Sequence, residues 1–249
     1  MRLMLRSKIR LPRGAAACPC ELMRPDTSHR GTSLPFAATA LLARDGEVPF
    51  IRRDHAYVSR YATNRPSVQL LGGNAGPWAI DRMHCVAGEP VSAAARLCIV
   101  AGPVVQLPLG ASWLLRGITS NERYVAREEK GALVSKQEGL GRHGGTRAAL
   151  IPIRKSAAWW ALPQDERREI FEAQSGHIAV GLKYLPAIAR RLHHCRDLGL
   201  DEPFDFLTWF EYAPSDSTAF EELVQALRAS PEWEYVDREV DIRLTHEDV

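Results

Sequence analysis

Between His177 and Leu244 the chain carries three side chains that together could hold a metal and handle an anion. His177 supplies an imidazole late in an amphipathic stretch, Arg190 follows thirteen residues later, and Glu232 comes after a second helical stretch. An imidazole can ligate iron, and a carboxylate bonded to its other ring nitrogen fixes its orientation and raises its basicity. A guanidinium is permanently charged and forked, which suits a small oxyanion. Each residue also has a blander reading. A lone histidine on such a helix is more often a satisfied structural residue than a ligand, and Glu232 reads equally as an exposed charge past a helix end. Arg190 and Arg191 are neighbours on an extended stretch, so alternation sends them to opposite faces and one can point inward. An inward arginine in an apolar cavity is costly unless it meets an anion.

The elements that must position these groups are legible from periodicity. Val68–Leu71 reads as a strand, the Gly72–Pro77 turn follows, and Trp78–Ile80 continues extended. Leu97–Val100, Trp113–Ile118 and Ala148–Ile153 read as further strands, with a charged helix from Asn121 to about Gln137 between the last two. Pro163 and the acidic residues after it open a helix whose apolar positions run to Leu185, where Pro186 stops it; His177 falls late in that helix. Ile188–His194 and Phe204–Tyr212 read as two strands joined by a turn at Gly199. Ser215-Asp216-Ser217 caps a helix with Phe220, Leu223, Val224 and Leu227 on its apolar face, and Glu234–Leu244 closes as a strand. Strand, helix, strand, strand, helix, strand is the order of a ferredoxin-like α+β unit.

Composition excludes several classes. The 249 residues are 45% hydrophobic and 25% charged, the balance of a globular protein, and no apolar run reaches the roughly 20 residues that span a bilayer. Residues 1–65 hold 12 Lys+Arg against 5 Asp+Glu, and the remainder 20 against 25. The basic start is read as a poorly ordered arm, with a nucleic-acid arm or a targeting peptide as alternatives. Its apolar runs are broken by Arg, Lys or Pro, which argues against an export signal. Five scattered cysteines do not resemble a disulfide framework and are expected to be reduced thiols in the cytoplasm. Cys18-Pro19-Cys20 lacks a second pair at zinc spacing, and His193, His194 and Cys195 alternate in direction on a strand and cannot easily share one ion.

Longer runs carry a resemblance. LLRGITSNERYV (114–125), RAALIPIRKSAAWWAL (147–162), HIAVGLKYLPAIARRLHHCRDLG (177–199), FDFLTWFEYAP (204–214) and EWEYVDREVDIRL (232–244) resemble the chlorite dismutase family, in particular its short dimeric branch. The likeness covers roughly Val68–Leu244 and leaves residues 1–65 as an extension: a misassigned start, a real arm, or a remnant of a longer first half. It implies a ferredoxin-like dimeric α+β barrel over residues 66–249, built of two ferredoxin-like halves with the first abbreviated, that binds haem b. It implies His177 as the iron's axial ligand, Glu232 behind it, and Arg190 on the substrate side. Trp159 and Trp160 are implied beside the porphyrin, with Tyr124 near the propionates. The related coproheme decarboxylases are expected to have a Tyr-Pro segment and no such arginine, whereas this chain has Leu150-Ile151-Pro152-Ile153 and Arg190. The implied reaction converts chlorite to chloride and dioxygen through a ferryl haem and a hypochlorite held by Arg190. The implied partners are chlorite and further copies of the chain, a dimer before a pentamer, with no nucleic acid and no membrane. A peroxidase-like detoxifying protein and a haem-handling protein without turnover are the alternatives; a carrier has little reason to bury Arg190.

Overall fold

The structure, a computed structural model, describes residues 67–102, 110–119, 123–198 and 201–246. The arm over residues 1–65, the first residues of the expected Asn121 helix and the Gly199 turn lie outside the described residues. Eight antiparallel strands close into a barrel: β1 (Ser67–Gly73), β2 (Trp78–Ala87), β3 (Arg96–Ala101), β4 (Ala111–Thr119), β5 (Arg147–Lys155), β6 (Ala189–His194), β7 (Phe206–Tyr212) and β8 (Val236–His246). The order around the barrel is β1-β3-β2-β8-β5-β7-β6-β4, so the four early strands and the four late ones follow the same relative sequence.

Strand alternation sorts side chains between the barrel interior and its outer wall. Leu70, Leu97, Trp113, Leu150, Leu207, Trp209 and Ile242 fill the interior as one apolar cluster. The ring of Trp113 lies so close over Gly72 that an added Cβ would sit 2.0 Å from it, so only glycine fits beneath that indole. On the late strands the outer wall is apolar too. Ala149, Ile151, Ile153 and Phe210 pack against α5 (Ser217–Arg228) through Phe220, Leu223, Val224 and Leu227. Each of those four helix side chains contributes about 2 kcal/mol of burial. This explains why β5 is a nearly unbroken apolar run: it is covered on both faces.

The remaining helices are α1 (Arg127–Lys136), α2 (Ala157–Ala161), α3 (Gln164–Arg168) and α4 (His177–Lys183). Three expectations need correction. The long helix after Pro163 is broken: α3 passes into a π-helical segment, Glu169–Gln174, and Gly176 adopts the left-handed conformation (φ 58°, ψ 33°) before α4 starts. His177 is therefore the first residue of a new helix, not a late residue of the old one. The Asp216 cap of α5 makes no side-chain capping bond; Ser217 Oγ instead donates to the Pro214 carbonyl, 2.8 Å away. Cys85 and Cys195 are free, but Cys98 is disulfide-bonded, so a uniformly reduced set of thiols does not hold. Among the described residues no helix is long and apolar enough to cross a membrane.

Candidate functional site

A cavity lies between the outer face of β5-β7-β6 and the helical layer, with about 1190 Å³ of empty space when its opening to solvent is included. Its sheet wall follows from pairing register. Ile151, Thr208 and Leu192 form one rung across the three strands, Ile153, Phe206 and His194 the next, and Ala149, Phe210 and Arg190 a third. Arg190, Leu192 and His194 line the cavity, whereas Arg191 is exposed on the other face. The Arg190 backbone carbonyl accepts a hydrogen bond from Gln137 Nε2 at 2.6 Å, which ties this strand to the end of α1.

The helical wall presents His177, with its ring stacked on Phe171 at 4.3 Å between centroids. Nδ1 of His177 donates to Glu232 Oε2 at 2.6 Å. The other carboxylate oxygen of Glu232 lies 2.8 Å from Lys155 Nζ, which also donates to the Glu232 carbonyl at 3.0 Å. Both side chains of that pair are almost wholly buried, at 4% and 5% exposure. Burial alone would raise the Glu232 pKa, but the opposing charges and hydrogen bonds of His177 and Lys155 prevail and hold it at about 2. Burial lowers the Lys155 pKa, with Glu232 working against it. The ammonium sits 4.7 Å from the Trp159 ring centroid and 5.4 Å from that of Trp233. An ionised carboxylate only accepts, so Nδ1 carries the proton of this bond and Nε2 is the ring nitrogen left for a ligand role.

Tyr124 lines the same cavity in an unusual backbone state, φ 63°, the only non-glycine among the described residues with positive φ. It is held there from several sides. Arg168 donates to its carbonyl, Arg167 Nη1 donates to its hydroxyl at 3.0 Å, and Arg168 pairs with Glu129 at 2.6 Å. Backbone strain of this kind persists only where the surroundings over-determine it. Trp159 is packed edge-on between Tyr124 and Tyr235 at 1% exposure, and its indole Nε1 is buried without a hydrogen-bond partner.

Of the six residues singled out from sequence, five line one cavity: Tyr124, Trp159, His177, Arg190 and Glu232. Trp160 does not. Its ring lies beside Phe206 and under the Arg196 guanidinium, and its Nε1 donates to Asp205 Oδ2 at 3.1 Å. Sequence reasoning missed Lys155, although Ile151, Ile153 and Lys155 share a strand face by simple alternation. It also missed Phe171 and Arg123, both of which line the cavity; no local signal marks either one.

Comparison with known proteins gives a consistent answer. Residues 109–247 match the family model described as chlorite dismutase. The chain is 59% identical to a structure of the dimeric chlorite dismutases of Nitrobacter winogradskyi, with TM-score 0.67, over 72% of this chain and 99% of that one. A chlorite dismutase variant of Candidatus Nitrospira defluvii, solved with cyanide, shares the fold at 19% identity and TM-score 0.55, over 74% of this chain and 92% of that one. A curated chlorite dismutase of Ideonella dechloratans is 32% identical over 123 residues, which is 49% of this chain but only 40% of that relative.

Proposed function

The chain belongs to the chlorite dismutase family, and from that membership we propose that it is a haem b enzyme that decomposes chlorite to chloride and dioxygen. One observation carries the reading: a half-buried imidazole, oriented by a buried carboxylate, and an inward arginine share a single apolar-walled cavity.

The residues present fit a haem. Among the described residues no three His, Cys, Asp or Glu side chains gather around one point, so a single imidazole suits a metal whose other ligands arrive with it. The walls are broad and apolar, and a Cβ added at cavity-lining Gly181 would meet nothing within 4 Å. The unpartnered indole N–H of Trp159 awaits an acceptor that a bound group could bring. His177 would ligate the iron through Nε2, with Trp159 and Tyr124 beside the macrocycle. Trp160, outside the lining, would act through its neighbours.

When bound, haem supplies the iron at which a chlorine–oxygen bond of chlorite is broken. The protein's own work is binding, orientation and retention. Glu232, kept ionised by Lys155, holds the imidazole in one tautomer and makes it a stronger donor. Arg190 lines the cavity, where its permanent, forked charge would attract a small anion. It holds chlorite on arrival and then keeps the hypochlorite from escaping, so that both oxygens of one chlorite leave as dioxygen together with chloride. The absence of any tyrosine on β5, where Ile151 and Ile153 face the cavity, supports this reading over decarboxylation of a haem precursor.

The matching order of the early and late strands supports two ferredoxin-like halves, the first abbreviated, with no helix among its described residues. The likeness to the dimeric proteins of Nitrobacter winogradskyi supports a homodimer. Oxygen release on adding chlorite to the purified, haem-loaded protein, followed with an electrode, tests the proposal; haem uptake without oxygen release would overturn it.

A further inference from the structure

The segment that breaks the helix before His177 touches both members of the imidazole–carboxylate pair. Phe171 stacks on the His177 ring, its plane within 21° of parallel. The Glu172 carboxylate accepts from Ile178 N at 2.6 Å and from Ala179 N at 3.2 Å, closing the first turn of the helix that His177 begins. Ser175 Oγ accepts from the backbone N–H of Glu232 at 2.9 Å, across 57 residues of sequence. Gly176, in its left-handed state, provides the corner that lets one short segment face both ways.

We propose that Glu172 and Ser175 are positioning residues that jointly fix the angle and distance between the His177 ring and the Glu232 carboxylate. This deepens the haem reading above and rests on it. Glu172 sets where the backbone of His177 stands, since it satisfies two of the amide groups left without partners in the first turn of α4. Ser175 sets where Glu232 stands, because the bond is to the backbone of Glu232 itself while both its carboxylate oxygens are engaged elsewhere. Each residue therefore holds one end of the 2.6 Å contact, and neither reaches the cavity lining. The π-helical segment is what brings them there. Its extra residue per turn places Phe171, Glu172 and Ser175 on the side facing α4 and the 3₁₀ turn that carries Glu232.

The test uses the full chain with Glu172→Ala, Glu172→Gln, Ser175→Ala and Ser175→Thr. Haem transfer to an acceptor protein and the iron–imidazole stretching band of the reduced, loaded protein are read together with the His177 ring-nitrogen resonances of the haem-free chain. We expect each alanine variant to release haem about tenfold faster, with a shifted or broadened iron–imidazole band, as for other groups that orient a metal ligand. Ser175→Thr, which keeps the hydroxyl, restores both signals, and Glu172→Gln, which keeps an acceptor, restores most of them. Unchanged band and release rate in both alanine variants would overturn the proposal, as would failure of Ser175→Thr to restore them. Should the parent chain take up no haem, the reading of the preceding subsection fails. The inference is then decided on the ring-nitrogen resonances alone: a shift in the alanine variants upholds it, and no shift overturns it.

Discussion

Lys155 and Glu232 form an ion pair at 2.8 Å, 77 residues apart in the chain and almost completely removed from solvent. A buried pair of this sort adds little net stability compared with apolar residues of the same volume, but losing one partner strands the other's charge. Lys155→Met should therefore destabilise the protein by roughly 3–5 kcal/mol in urea unfolding. Adding Glu232→Leu should recover much of that loss while abolishing haem affinity. A double variant no more stable than Lys155→Met would show that the pair is not coupled as drawn.

The same carboxylate predicts an acid limb. Its folded pKa of about 2 lies below the ordinary value of 4.5, so its ionisation stabilises the fold at pH above 4.5 and that contribution disappears as pH falls towards 2. The size is roughly 3 kcal/mol. Unfolding free energy measured from pH 5 down to pH 2 should fall in the parent and fall less in Glu232→Gln; parallel curves would remove Glu232 from the account.

If His177 is the axial ligand, His177→Ala should lose the Soret band of the purified protein, or bind haem with at least tenfold lower affinity. Haem titration followed by absorbance measures this directly. Unaltered affinity would refute the ligand assignment.

Retention by Arg190 makes a kinetic prediction. Arg190→Ala should evolve less oxygen per enzyme before bleaching, because hypochlorite escapes and attacks the protein, and a hypochlorite trap should protect the variant more than the parent. Equal total turnover with and without the trap would count against retention. Arg190→Lys should lie between the two, since a point charge replaces a fork.

Gly176→Ala isolates the cost of the corner. An added Cβ there has only the Ala179 Cβ, 4.0 Å away, within reach, so the penalty is conformational rather than a clash. Leaving an L-residue at φ 58° costs roughly 1–2 kcal/mol. A thermal unfolding scan should show that loss, and the spectrum of bound haem should change with it. A neutral substitution would mean that α4 can start without this turn.

Much of this was legible along the chain. Period-2 alternation alone separates Arg190 from Arg191, because successive strand residues face opposite ways whatever surrounds them. The apolar face of α5 followed from spacing alone, and the pairs Leu223–Leu227 and Phe220–Val224 lie where a 3.6-residue period puts them. Long runs such as RAALIPIRKSAAWWAL identified the family. The break before His177 is invisible to periodicity because the apolar positions continue in phase across Gly176, and a period does not register a single residue turning left-handed. The roles of His177 and Glu232 stay open in the sequence for a different reason. Whether a histidine is a structural residue or an oriented ligand depends on what pairs with it out of water; its partner comes from a 3₁₀ turn 55 residues away and is held in turn by Lys155 at the end of β5. Sequence by itself determined which residue types were present and which face of each strand or helix they occupy. Tertiary structure alone decided that five of the six meet at one cavity while Trp160 stays outside it, since burial and charge pairing are set by long-range contacts.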